Sequence, residues 1–224
     1  MSKDILHTTL LASAFLLLFG LAELLYHRYK VRAELTRKLV HFGTGFLTLL
    51  FPLLLSSHWY VLFLCASFAL ILLTSLKFKL LPSINAIDRE SHGSISYPVA
   101  VYGSYLVFEY QSHELVFFYL PVLTLAVCDP MAALFGKRFP FGKFRIGKDT
   151  KTLAGTSAFF LSSMVLTIVL FYFMAVPGSF RWSVTLPIAL VTGLFSAATE
   201  AVSGKGFDNL TIPASVILVL LVLS

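Results

Sequence analysis

Runs of apolar residues alternate with short polar breaks along the whole 224-residue chain, at 5–26, 39–56, 59–76, 94–109, 114–136, 153–176, 183–203 and 210–224. A helix needs about 20 apolar residues to cross the roughly 30 Å hydrocarbon core of a bilayer. The pattern therefore predicts an all-α, polytopic transmembrane helix bundle of about 7–8 helices, forming one integral membrane domain over 1–224. The fourth run contains Pro98 and Gly103, and the eighth has about 15 residues, roughly 23 Å of helix. Both are expected to be tilted, broken or partly re-entrant against protein. Ala12-Ser13-Ala14 has the small side chains of a signal-peptide cleavage site, but it lies inside the first run, which continues through Phe15 to Leu25. An uncleaved first helix is expected.

Composition agrees with a bilayer as the solvent. The chain is 58% hydrophobic and 12% charged, against about 25% charged in a soluble domain, with a mean hydropathy of +0.86. A net charge of +6 would suit nucleic acid as a partner in a soluble protein. Here it reads as the excess of Lys and Arg in cytoplasmic loops, so no nucleic-acid partner is expected. With the N-terminus outside, 15 of the 17 basic residues fall in inside loops; Lys3 and Arg181 are the exceptions. This predicts an N-out protein of a bacterial cytoplasmic membrane with its polar loops facing the cytoplasm. Cys65 and Cys128 lie in apolar runs without CxxC or His-rich spacing, which predicts neither a disulfide nor a metal site.

Four polar clusters interrupt the apolar pattern, all on the side assigned to the cytoplasm. The first, at the start of the second span, holds Arg37, Lys38 and His41. Arg37 and His41 are four apart and share a helical face, while Gly43 and Gly45 permit close helix approach. The second, 85–94, is a short polar stretch that reads equally as a solvated loop. The third begins at Asp129, eight residues or about 12 Å of helix before Lys137. An intramembrane carboxylate is costly and marks a functional site by default. A loop with six basic residues and Gly136, Gly142 and Gly147 follows. Thr150 or Thr152 is placed to cap the next helix, whose N-terminus attracts phosphate. A positive-inside loop accounts for the lysines but not for Asp129. Gly142 to Asp149 nearly spells the P-loop pattern, but Asp149 replaces its hydroxyl residue and no strand precedes it, so it is no Walker A site. The fourth cluster holds Glu200, near a helix end, and Asp208-Asn209, where the last helix begins. Carboxylates from different helices, Asp129, Glu200 and Asp208, suit a divalent cation such as Mg²⁺ with phosphate as its partner. Glu23, near the end of the first helix, is expected to snorkel or pair.

These residues resemble the polyprenol kinase family of membrane enzymes, which includes dolichol kinase, phytol kinase and the CTP-dependent diacylglycerol kinase. The matching pieces are Arg37-Lys38…His41…Gly45, Asp129-Pro130…Ala133…Gly136-Lys137, Lys148…Lys151-Thr152…Gly155 and Glu200…Gly204…Asp208-Asn209…Pro213. They stand in the family's order and cover roughly residues 35–215.

The resemblance implies a kinase that transfers phosphate from CTP, with Mg²⁺ or another divalent cation, to the hydroxyl of a lipid alcohol. The acceptor would be an isoprenoid alcohol of the phytol, farnesol or polyprenol type, or diacylglycerol. Asp129, Glu200 and Asp208 would bind metal or activate the hydroxyl. Lys137, Lys148 and Lys151 would hold the nucleotide phosphates, with Lys38, Thr152, Gly155 and Asn209 completing the nucleotide site. Arg37 and His41 would steady the transferred phosphoryl group. The acceptor's tail is expected to stay in lipid between helices. Two other readings use the same residues. A phosphatidate cytidylyltransferase would release pyrophosphate, and an ion- or proton-coupled transporter would use Asp129 and Glu200 as a relay.

Overall fold

In a computed structural model, residues 3–85, 93–146, 149–204 and 206–223 are described. The chain folds into helices α1 (Lys3–Tyr29), α2 (Ala33–Thr48), α3 (Phe51–Leu54), α4 (His58–Phe78), α5 (Pro82–Asn85) and α6 (Gly93–Tyr110). A continuous rod follows, made of α7 (Val116–Leu123), a π-helical stretch Thr124–Cys128, and α8 (Asp129–Arg138). Strands β1 (Lys143–Ile146) and β2 (Asp149–Thr152) pair antiparallel, and α9 (Leu153–Met174), α10 (Trp182–Val202) and α11 (Asp208–Leu223) complete the bundle.

Eight long helical segments thus match the eight apolar runs. Among the described residues, five are long and apolar enough to cross a membrane: α1, α4, the α7–α8 rod, α9 and α10. The rod is the centre of the bundle, with 61% of its apolar window buried against 17–39% for the other four. In lipid, helices gain little from apolar burial and pack through small residues instead. Gly193 of α10 accordingly lies under Phe160 of α9, where an added Cβ would stand 3.0 Å from the ring. Ser163 and Ser196 hydrogen-bond across the same seam at 3.2 Å. Cys65 and Cys128 are both free and buried.

Three expectations need correction. The second span starts not at 39 but at Ala33, so Arg37, Lys38 and His41 lie inside a helix rather than at its start. That helix ends at Thr48, and α3 begins only at Phe51, with Pro52 in its first turn. The fourth span is one unbroken helix with Pro98 inside it. The segment read as an irregular basic loop contains the β1–β2 hairpin. Gly142 enters it at φ +61°, and its carbonyl accepts a hydrogen bond from Leu153 N–H at 3.0 Å.

Candidate functional site

The site starts from α2, whose polarity is inverted for a membrane helix. Glu34, Arg37, Lys38, His41, Thr44 and Thr48 follow the three-and-four spacing of one helical face, and all line a cavity of about 840 Å³ inside the bundle. Leu35, Leu39, Phe42 and Phe46 are exposed on the other side, where lipid solvates them at no cost. Gly45 lets this helix reach the central rod: a Cβ there would stand 2.3 Å from the Cβ of Ala126.

The rod meets α2 with its π-helical stretch. Pro130 has no N–H, and its ring conflicts with the carbonyl four residues earlier, at Ala126. The helix accommodates this by widening over Thr124–Cys128. The Leu125 carbonyl lies 3.1 Å from Nε2 of His41. A carbonyl only accepts, so Nε2 carries the proton and Nδ1 remains as the acceptor of the neutral ring. Tyr97 of α6 packs edge-on against the imidazole, with centroids 5.2 Å apart. Asp129 comes directly after the π stretch, half-buried and lining the cavity.

The α8–α9 junction is close because Gly136 and Gly155 face each other. A Cβ on Gly155 would stand 2.9 Å from the Ala132 carbonyl, and one on Gly136 would stand 2.7 Å from Thr152 Oγ1. Thr152 caps α9, its Oγ1 accepting from Gly155 N–H at 3.0 Å. Of the two threonines proposed for that cap, Thr152 is the one used. Gly155 brings two helices together and gives its N–H to the cap.

The hairpin then delivers Lys151 to the end of α10. Its ammonium contacts the Glu200 carboxylate and donates to the Glu200 carbonyl at 2.9 Å. Lys151 is half-buried and Glu200 buried, at 17% and 5% exposure. Lys151 sits in an extended strand, so it shares no helical spacing with Lys148, which lies outside the described residues. Lys137 contacts Glu34 across the cavity mouth, a partner that the apolar-run reading left in a loop. Asp208 and Asn209 open α11, where Asn209 N–H donates to the Asp208 carboxylate at 3.0 Å. Ser203 and Thr211 hydrogen-bond at 2.7 Å and hold the α10–α11 connection together. Glu23 pairs with His27 at 3.1 Å and accepts from Ser83 N–H at 3.1 Å, as its pairing reading anticipated.

One cavity therefore brings together Arg37, Lys38, His41, Asp129, Lys137 and Lys151. The same cavity is lined by Thr152, Gly155, Glu200, Asp208 and Asn209. Asp129, Glu200 and Asp208 interact electrostatically with one another, and Lys151 with the last two. Among the described residues no three His, Cys, Asp or Glu side chains converge tightly enough to form a ready-made metal cage. The donor set still fits Mg²⁺, which is ordinarily held by one or two carboxylates together with substrate phosphates. Of the second polar cluster, Asn85, Gly93 and Ser94 line the cavity, while 86–92 lie outside the described residues. Sequence reasoning missed Glu34, Thr44, Thr48 and Tyr97. The first three continue the Arg37–His41 spacing, a signal that was there to be read; Tyr97 had none.

No protein-family model and no solved structure matches the chain. A phytol kinase of Synechocystis sp. is 31% identical to it over 196 residues, which is 86% of this chain and 80% of that protein.

Proposed function

The chain belongs to the polyprenol and phytol kinase family, and from that premise we propose that it transfers the terminal phosphoryl group of CTP to the hydroxyl of an isoprenoid alcohol at the cytoplasmic face of the membrane. The observation that carries this reading is the two-ended cavity. Acidic and basic residues crowd one end, while the other is lined by Phe15, Phe51, Leu64 and Val101. A substrate with a reactive polar head and a hydrocarbon tail matches both ends. The positive-inside distribution of basic residues supports the cytoplasmic orientation.

In this mechanism Lys137 and Lys151, with Lys148, neutralise the nucleotide phosphates, and Arg37 and Lys38 flank the transferred group. The attacking alcohol oxygen forms the new P–O bond as the bond to the β-phosphate oxygen breaks and CDP leaves. With Nε2–H committed to the Leu125 carbonyl, His41 acts through Nδ1 as acceptor of the hydroxyl proton. Asp129, Glu200 and Asp208 would hold Mg²⁺, which supplies charge neutralisation on the phosphates. Phosphoryl transfer needs mainly such positioning and electrostatic stabilisation.

Incubation of the purified protein with labelled CTP and phytol, farnesol, dolichol or diacylglycerol tests the reading. Alcohol phosphate and CDP are expected, with isoprenoid alcohols preferred. Pyrophosphate release with a CDP-lipid product would instead favour the cytidylyltransferase chemistry, and transfer to no alcohol would sink the proposal.

A further inference from the structure

We propose that the apolar part of the cavity is a closed-ended channel that takes the acceptor's hydrocarbon tail inside the bundle, and that its floor limits the tail length accepted. This rests on the lipid-alcohol reading above, but replaces a tail held in lipid between helices with one held by protein.

The channel's direction follows from the helices that line it. On α4, Leu76, Leu72, Phe68 and Leu64 succeed one another at intervals of four, a single face about 18 Å long. On α2, His41, Thr44 and Thr48 descend over seven residues, about 10 Å of helix, towards Phe51 at the start of α3. The end is shut. Phe51 is 1% and Leu64 1% exposed, and the Phe51 ring meets Phe15 edge-on at 6.1 Å. Behind it, Phe118 stacks at 6.5 Å, so the floor is solid core. Phe68 forms one side, tilted against Phe15 at 4.7 Å.

Two observations say that this space is for a ligand. Protein interiors keep few voids larger than a water molecule, whereas this apolar space is one part of a continuous cavity of about 840 Å³ whose other part is lined by charged groups. At the junction, the buried Tyr97 hydroxyl interacts with the Thr44 and Thr48 side chains, neither at the geometry of a full hydrogen bond. It stands beside His41 and above Gly45, where an added Cβ would come within 3.5 Å of it. A buried hydroxyl without a well-formed hydrogen bond is costly, and an acceptor alcohol with its head at His41 and its tail towards Phe51 would complete it. Leaving the bilayer for an apolar channel gains a tail little hydrophobic energy, since lipid is equally apolar. What the channel contributes is depth control: the tail's length against the floor sets where the hydroxyl stops.

The first test is a length series of isoprenoid alcohols, from two isoprene units upward, with wild type, Phe51→Leu, Leu64→Ala and Val101→Phe. In wild type, kcat/KM should fall at least tenfold with the first unit beyond the optimum. Shortening a floor residue should move the optimum one unit longer, and Val101→Phe should move it shorter. The second test needs no variant. A farnesol analogue with a photoreactive group at its far end is crosslinked to the wild-type protein in proteoliposomes. Label should collect on the segments containing Phe51 and Leu64. Label on lipid-facing Leu17 and Phe63, 74% and 63% exposed, or an unshifted length optimum in folded variants, overturns the channel while leaving the kinase intact. Label at the floor with no alcohol phosphorylated leaves the channel standing and removes the kinase reading.

Discussion

Replacing Lys151 with Gln tests whether the Lys151–Glu200 pair is part of the resting architecture or a chance approach of two polar groups. Glu200 is 4% exposed, and its only described cationic contact is Lys151, which also holds its carbonyl. Removing one partner of a buried pair leaves an uncompensated charge and costs roughly 3–5 kcal/mol. The pair borders a polar cavity that water can enter, which argues for the lower end, about 3 kcal/mol. For a chain of this length each kcal/mol moves the melting temperature by about 2–4 °C, so Lys151→Gln should lower it by roughly 6–12 °C. Adding Glu200→Gln removes the stranded charge and should restore most of that loss, because replacing both members of a buried pair is often close to neutral. On the proposed mechanism activity should not return with stability, since the phosphates would lose a lysine and the cation a carboxylate. The assay is thermal unfolding in detergent beside CTP turnover on the same preparations. An unchanged melting temperature in Lys151→Gln would show that the pair carries no weight. Near-normal turnover in the stable double variant would remove both residues from the chemistry.

Two further outcomes follow from the geometry. Asp129→Asn keeps the side chain's shape and loses its charge, so the protein should insert and melt normally while turnover falls by about 10²–10³; normal turnover would make Asp129 structural. Gly45→Val puts branched carbon where a single Cβ already stands 2.3 Å from Ala126, and should lower stability by roughly 1–3 kcal/mol, whereas Gly103→Ala, with nothing within 4 Å, should be neutral or stabilise by about 0.5–1 kcal/mol; equal melting temperatures for the two would contradict the close α2–rod contact.

The helices were legible because their signal is redundant. Each of the eight runs has many apolar residues, and a few errors do not erase it. What was lost sits where the polar and apolar signals compete. Residues 33–38 carry Glu34, Arg37 and Lys38, so a reading by apolar runs started the helix too late in sequence and hid Glu34, the partner of Lys137. The hairpin escaped because its strands are four residues each and β1 offers only Phe144 and Ile146 as apolar alternation. Strands that short are set by their tertiary surroundings rather than by propensity. Asp129 and Glu200, by contrast, were singled out one by one, since a carboxylate in an apolar run has no cheap structural explanation.

The same competition explains where the site lies in the bundle. Three long helices fall short of an independent membrane span by length or apolarity: α2, α6 and α11. All three line the cavity, through His41, Tyr97 and Asp208 among others. A helix that turns polar side chains inward gives up apolar residues on that face, and it tolerates this only because its neighbours shield the face from lipid. Here the shield is made by α1, α4, α9 and α10, which keep exposed apolar surfaces such as Leu17, Leu70, Phe173 and Leu194. The central rod combines both roles. Its apolar turns anchor the bundle, and the interruption that Pro130 imposes on the preceding turn aims the Leu125 carbonyl at His41 one turn before Asp129. Hydropathy thus marks the cavity by its deficit: the weakest spans are the ones whose sequence is committed to a polar interior rather than to the bilayer.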